Sequence, residues 1–181
     1  SFVHPDYQSR ARGQKSMYAL DNLWDGLGAL VINNNHLKYL FGKVTMYPHF
    51  NQKARNMILY FLKKHFNDPD NLVTPIDPAD IYLHEEKMKI LFHGWSYKED
   101  YKILSSEVRK LGENIPPLIN AYMNLSPTMR TFGTFINNHF GNVEETGIMI
   151  TLRDIYVEKI NRHLASYKQD FMITWFSHDN E

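Results

Sequence analysis

The sequence contains no cysteine, which excludes disulfides, thiolate metal centres and a cysteine nucleophile. It also has no net charge, since 20 Lys and Arg balance 20 Asp and Glu. No overall field then draws in nucleic acid, which is not expected as a partner, and any anion site must be local. No uncharged apolar run reaches the roughly 18–20 residues needed to cross a bilayer, and no signal peptide is visible. Nine histidines are present, but none forms a His-x-x-x-His pair, and His84 and His93 are too far apart to share a helix face, so no metal is expected. Ser105-Ser106 and Ser126-Pro127 sit in no nucleophile-elbow context, which argues against a serine hydrolase. Repeats, low-complexity tracts and interdomain linkers are missing as well. The expected organisation is a single domain over 1–181, in three stretches: 1–66, 67–126 and 127–181.

What is present suits a folded domain: 181 residues, 43% hydrophobic and 14% aromatic, enough for a substantial core. Helical spacing of Met17, Leu20, Leu23, Trp24, Leu27, Leu30 and Val31 predicts a helix over 16–32, ended by Asn33-Asn34-Asn35. Leu37–Tyr47 reads as a strand closed by Pro48, with Gly42 marking a bulge or a close backbone approach. Asn51 caps a helix over 52–66, whose stripe is Ala54, Met57, Ile58, Phe61, Leu62 and His65. Val73–Pro78 reads as extended and Asp80–Trp95 as ambiguous. Ser96-Tyr97-Lys98-Glu99 is a capping box for a helix ending near Leu111 at the C-cap Gly112. Pro116-Pro117 opens a short helix to Leu125. Arg130–Asn137 and Gly147–Leu152 read as an antiparallel hairpin joined around 138–146, and 154–169 as a last amphipathic helix.

The N-terminal stretch organises the functional reading. Phe2 and Val3 are strand formers, Pro5 stops the strand, and Ser9–Ser16 carries three cations (Arg10, Arg12, Lys15) and Gly13 before the first helix. A strand feeding a basic loop that opens a helix can hold an anion on backbone N–H groups and the helix dipole. The same residues also read as a solvated basic loop, and the charges alone do not decide. With the 37–47 strand to follow, the order fits a parallel, right-handed crossover.

Val3-His4-Pro5-Asp6-Tyr7-Gln8 resembles the strand-to-loop segment of the GNAT acyltransferase superfamily, and most resembles the ornithine-lipid and glycine-lipid N-acyltransferases, many of them labelled hemolysins. Ile115-Pro116-Pro117-Leu118 with Tyr122, and Phe140–Leu152, resemble later segments of the same proteins in the same order. The resemblance implies an α/β, GNAT-like mixed sheet with flanking helices, of which this chain is the C-terminal portion, lacking the N-terminal strands. It implies transfer of a fatty acyl group from an acyl-phosphopantetheine thioester (acyl carrier protein or acyl-CoA) to an amino-acid acceptor in lipid biosynthesis, with no permanently bound cofactor. Gln8, Arg10, Arg12, Gly13, Lys15 and Ser16 would seat the donor phosphate. The loop departs from the family pattern in its length and its single Gly. Acyl carrier protein is the implied partner, and the implied location is cytoplasmic or peripheral to the inner membrane. A first strand left without neighbours implies a homo-oligomer or pairing with an N-terminal half. The alternative is a non-catalytic, lipid- or membrane-associating module.

Acyl transfer to an amine needs a base for the proton and donors for the developing oxyanion. Glu144 and Glu145 are the candidate base, beside the late strand; in extended backbone they point to opposite faces, so at most one faces the site. They also read as a solvated turn pair. His4 and His139 are alternatives that titrate near neutrality, and Tyr7 and Tyr47, at strand ends, are candidate donors to the leaving thiolate. Leu118, Ala121, Tyr122 and Leu125 line a candidate acyl groove or pack as ordinary core. If the basic loop seats the donor, Arg10→Ala with Arg12→Ala weakens binding of acylated carrier protein and flattens its salt dependence; unchanged affinity removes the loop from the site.

Overall fold

Most of the chain's architecture follows from one helix laid across one small sheet. The computed structural model describes residues 25–34 and 36–164. Two compact units are distinguished, divided near residues 38 and 155. The described parts of the first are helix α1 (25–33) and helix α6 (Val157–Leu164). Helix α1 ends in the Asn run, where the Asn34 side-chain amide donates to the Leu30 carbonyl at 2.8 Å. Helix α6 starts later than its periodicity predicts, after a 3-10 turn at Leu152–Asp154.

The second unit contains strand β1 (Tyr39–Met46), helices α2 (Gln52–His65), α3 (Glu85–Leu91), α4 (Tyr97–Lys110) and α5 (Pro117–Met123), and strands β2 (Arg130–Asn137) and β3 (Val143–Thr151). The sheet order is β1-β3-β2, antiparallel throughout. The fold is therefore mixed α and β, and the expected parallel crossover involves residues outside the described ones. Gly42 makes no bulge, since β1 pairs with β3 in unbroken register from Tyr39↔Thr151 to Met46↔Glu144. The bulge lies in β2 instead, where Phe132 and Gly133 together oppose Gly147.

Register assigns every strand residue a face. Val44, Met46, Ile148 and Ile150 share one face and are almost fully buried. Helix α2 covers it: Ala54, Met57, Ile58, Phe61 and Leu62 are buried, as the stripe requires, and Leu59 and Tyr60 join them. Asn51 caps α2 by accepting from the amides of Lys53 and Ala54 at 2.9 and 3.3 Å. The opposite face carries Phe41, which is exposed and packs on Phe132 with ring centroids 5.7 Å apart.

Helix α4 packs against α2 through rings: Phe61 lies 5.5 Å from Tyr97 and 6.3 Å from Tyr101. Its start follows the capping signal, with Ser96 Oγ accepting from the Glu99 amide at 3.3 Å; Glu99 reaches back to the Trp95 amide, at 2.9 Å. Its end follows too, with Gly112 at φ +77° just past the C-cap.

A fully buried carboxylate, Asp100, joins these pieces. Its Oδ2 accepts from Lys64 Nζ at 2.6 Å and lies 2.8 Å from His65 Nε2, while Oδ1 accepts from the Gly94 amide at 2.9 Å. Gly94 has to be glycine, because a Cβ there would stand 2.5 Å from Asp100 Oδ1. Burial alone raises the Asp100 carboxyl, but the hydrogen bonds from Lys64, His65 and Gly94 and the Lys64 charge outweigh it and hold it below the ordinary 3.8. A depressed folded value stabilises the fold above the unfolded value and ceases to do so as pH falls through the folded one. Asp100→Asn should cost toward the low end of the roughly 3–5 kcal/mol typical of breaking a buried pair, since Lys64 is 31% exposed and can turn to water. The gap in urea midpoint between wild type and variant should narrow as pH drops below about 4. A variant as stable as wild type at neutral pH would show that the cluster holds nothing together.

Candidate active site

The connection between β2 and β3 is shorter than the sequence suggests. Strand β3 begins at Val143, four residues before the expected Gly147, so Glu144 and Glu145 lie inside the strand rather than in the turn. Alternation then places them on opposite faces, and each meets its own cation.

Glu144 points to the helix side. Its lateral neighbours are Met46 on β1 and Ile136 on β2, and its Oε1 accepts from Nη1 of Arg55, in the first turns of α2. The pair is largely enclosed, with side chains 13% exposed for Arg55 and 21% for Glu144. Arg55 Nε is buried with no hydrogen-bond partner, an uncommon state for a guanidinium N–H. Glu145 lies on the other face between Thr45 and Phe135. It is 3% exposed, and its Oε2 accepts from Lys43 Nζ at 2.5 Å and from Asn137 Nδ2 at 3.2 Å. Lys43 also stands 5.6 Å from the centre of the Phe135 ring. Neither glutamate is a solvated turn residue. Each keeps one carboxylate oxygen outside these bonds.

Tyr122 adds a hydroxyl on the helix side. It lies 3.8 Å from where a Cβ on Gly42 would stand, an ordinary contact with a side chain, so Gly42 marks no close backbone approach. Burial raises its phenol above the usual 10.0, which keeps it a proton donor. Its neighbours on α5 divide: Ile119 and Met123 are core, while Leu118 and Ala121 are half-buried. Tyr47 is exposed and stacks on His49 at 5.6 Å, and His139 is exposed in the hairpin turn. Of the other residues singled out in the sequence, His4, Tyr7, Gln8, Arg10, Arg12, Gly13, Lys15 and Ser16 lie outside the described residues. No cluster of His, Asp and Glu suited to a metal ion occurs among the described residues, and no described helix is long and apolar enough to cross a membrane. Arg55 and Lys43 escape a sequence reading because only the strand register shows which glutamate each one meets.

Comparison with known proteins points to acyl transfer. The chain is similar to proteins bearing the name of an N-acyltransferase. It is 58% identical over 167 residues, 92% of its length, to the Glycine N(alpha)-acyltransferase of Bacteroides thetaiotaomicron. It is equally similar, over the same share, to the Glycine N(alpha)-acyltransferase of Phocaeicola vulgatus. The chain spans about half the length of these relatives, 50% and 51%. No protein-family model matches it, and no solved structure matches.

The opposed carboxylates predict an asymmetric outcome. Glu144→Gln and Glu145→Gln, made separately, should give one variant with a rate loss of roughly 10²–10⁴-fold and one near wild type. Thermal melts of both variants separate a chemical loss from a folding loss. Two near-normal variants mean that neither residue is the base.

Proposed function

We propose that this chain is part of an N-acyltransferase of the GNAT type, which moves a fatty acyl group from a phosphopantetheine thioester to the α-amine of an amino acid, glycine in the first instance. The observation that carries this reading is the 58% identity, over nearly the whole chain, to two proteins named for that reaction. The chemistry asks for little from the protein. The amine nitrogen attacks the thioester carbonyl carbon, a C–N bond forms, the C–S bond breaks, and the amine proton leaves to a base while the thiolate takes one up. Glu144 or Glu145 is the proposed base, with an oxygen to spare in either case. The basic loop of Gln8, Arg10, Arg12, Gly13, Lys15 and Ser16 is proposed to hold the donor phosphate by charge-assisted bonds, and acyl carrier protein, being acidic, suits those cations. The product, an acyl-amino acid, belongs to lipid biosynthesis.

The test uses the intact natural protein with glycine and long-chain acyl groups, presented separately on acyl carrier protein and on CoA. Mass spectrometry should detect N-acylglycine and one equivalent of free thiol, and the better donor names the carrier. Failure with both donors overturns the reading, and binding to anionic vesicles in that case would favour the lipid-associating alternative.

A further inference from the structure

Between the end of α2, the 67–83 segment, β2 and Thr146 of β3 is a cavity of about 400 Å³, which neither Arg55 nor Glu144 itself lines. Its floor includes Leu59 and Leu62 of α2 and Thr146 of β3. Leu59 lies one helical turn beyond Arg55, and Thr146 is the next residue on Glu144's face of β3, so the wall continues from the ion pair. The roof is the 67–83 segment, which contributes Pro75, Ala79 and Leu83. Pins at several points, rather than dense packing, hold this roof over the sheet. Arg130 Nη1 donates to Asp68 at 3.0 Å and Asp70 at 2.5 Å, the Ala79 amide donates to the Thr134 carbonyl at 2.8 Å, and Asn56 Nδ2 donates to the Tyr82 carbonyl at 3.2 Å. Pro75 lies so close over the β2 bulge that a Cβ at position 133 would stand 2.6 Å from its ring.

The lining points to the kind of occupant, because it is mostly apolar and several of its polar groups are already engaged. Thr131 Oγ1 donates to the Phe66 carbonyl at 2.9 Å, and the Thr134 and Thr146 hydroxyls bond each other at 2.8 Å. At the rim, Lys63 is paired with Glu85 at 2.6 Å, and Asp68 with Arg130 and the Leu72 amide. These groups have their hydrogen bonds and ion pairs made within the protein, while Leu59, Leu62, Pro75 and Leu83 present carbon. Asn67, Asn71 and Thr74 also line the cavity, but carbon predominates, and a site of this size, within the roughly 300–1,000 Å³ of small-molecule pockets, suits an apolar guest.

We infer that this cavity seats the hydrocarbon tail of the acyl donor, with its carbonyl end toward Glu144. The inference rests on the N-acyltransferase reading and extends it, by naming the part of the fold that measures acyl length. Ala79→Phe fills the cavity from the roof, and Leu83→Ala enlarges it. Each methylene taken from water favours binding about four-fold. With a series of acyl thioesters on the intact protein, Ala79→Phe should therefore lower kcat/KM for long chains by more than about ten-fold and leave the shortest donors near wild type. Leu83→Ala should shift the optimum to longer chains. Opposite shifts cannot come from general destabilisation. Binding of a fluorescent long-chain fatty acid, read without turnover, should weaken in Ala79→Phe. Unchanged chain-length profiles, or an equal loss at every length, overturn the inference while glycine acylation still stands. Fatty-acid binding sensitive to Ala79→Phe in a protein that acylates nothing would instead overturn the reaction and keep the apolar-chain site.

Discussion

The contact between α2 and the helix-facing side of the sheet is the constraint on which the rest depends. Seven consecutive-turn residues of α2 are buried, and on the sheet Val44, Met46, Ile148 and Ile150 are all 2% exposed or less. Burying a side chain of this size contributes about 1.5–3 kcal/mol relative to exposure, so this interface outweighs any single polar contact in the chain. It also fixes the rotation of α2 about its axis. Once Ile58 and Leu62 are seated, Arg55 can point only toward the start of β3, and Leu59 only toward the cavity. Lys64 and His65 are brought to the far end, where Asp100 waits on α4.

Asp100 then locks α4 and the 92–96 turn to the end of α2. A buried charge of this kind is weak evidence for net stability, because desolvation offsets much of the attraction. Its role is geometric. Three donors converge on one carboxylate, and an alternative register of α4 would leave that charge buried without them. The aromatic cluster of Phe61, Phe92, Tyr97 and Tyr101 supplies the area, while Asp100 selects the arrangement.

Much of this architecture is legible in the residues. The Asn51 and Ser96 caps, the α2 stripe, the Gly112 stop and the Pro117 start rest on local chemistry that tertiary contacts do not override, and each stands where the sequence puts it within a residue or two. The misreadings are non-local. In Val143-Glu144-Glu145 only Val143 favours a strand, since Glu is a poor strand former; Lys43 and Arg55, far away in sequence, stabilise the two glutamates by neutralising both charges. The bulge at Phe132–Gly133 gives the same lesson, because its glycine answers to Pro75, which reaches it only through the fold. The roof over the cavity reads in sequence as an irregular stretch with three prolines, and nothing in it announces a wall.

One consequence follows for how chemistry and stability share this unit. Adjacent strand positions face opposite sides, so Glu144 and Glu145 cannot both serve one site. Glu144 looks onto Arg55, one turn before Leu59 and beside the Ala54, Met57, Ile58, Phe61 and Leu62 stripe that holds the helix to the sheet. The roof beside it is held by pins that are polar and peripheral: Arg130 to Asp68 and Asp70, and Ala79 to Thr134. They hold the 67–83 segment at a distance from Leu59 and Leu62 without asking it to collapse onto them. On the opposite face, Glu145 and Lys43 pair across β3 and β1.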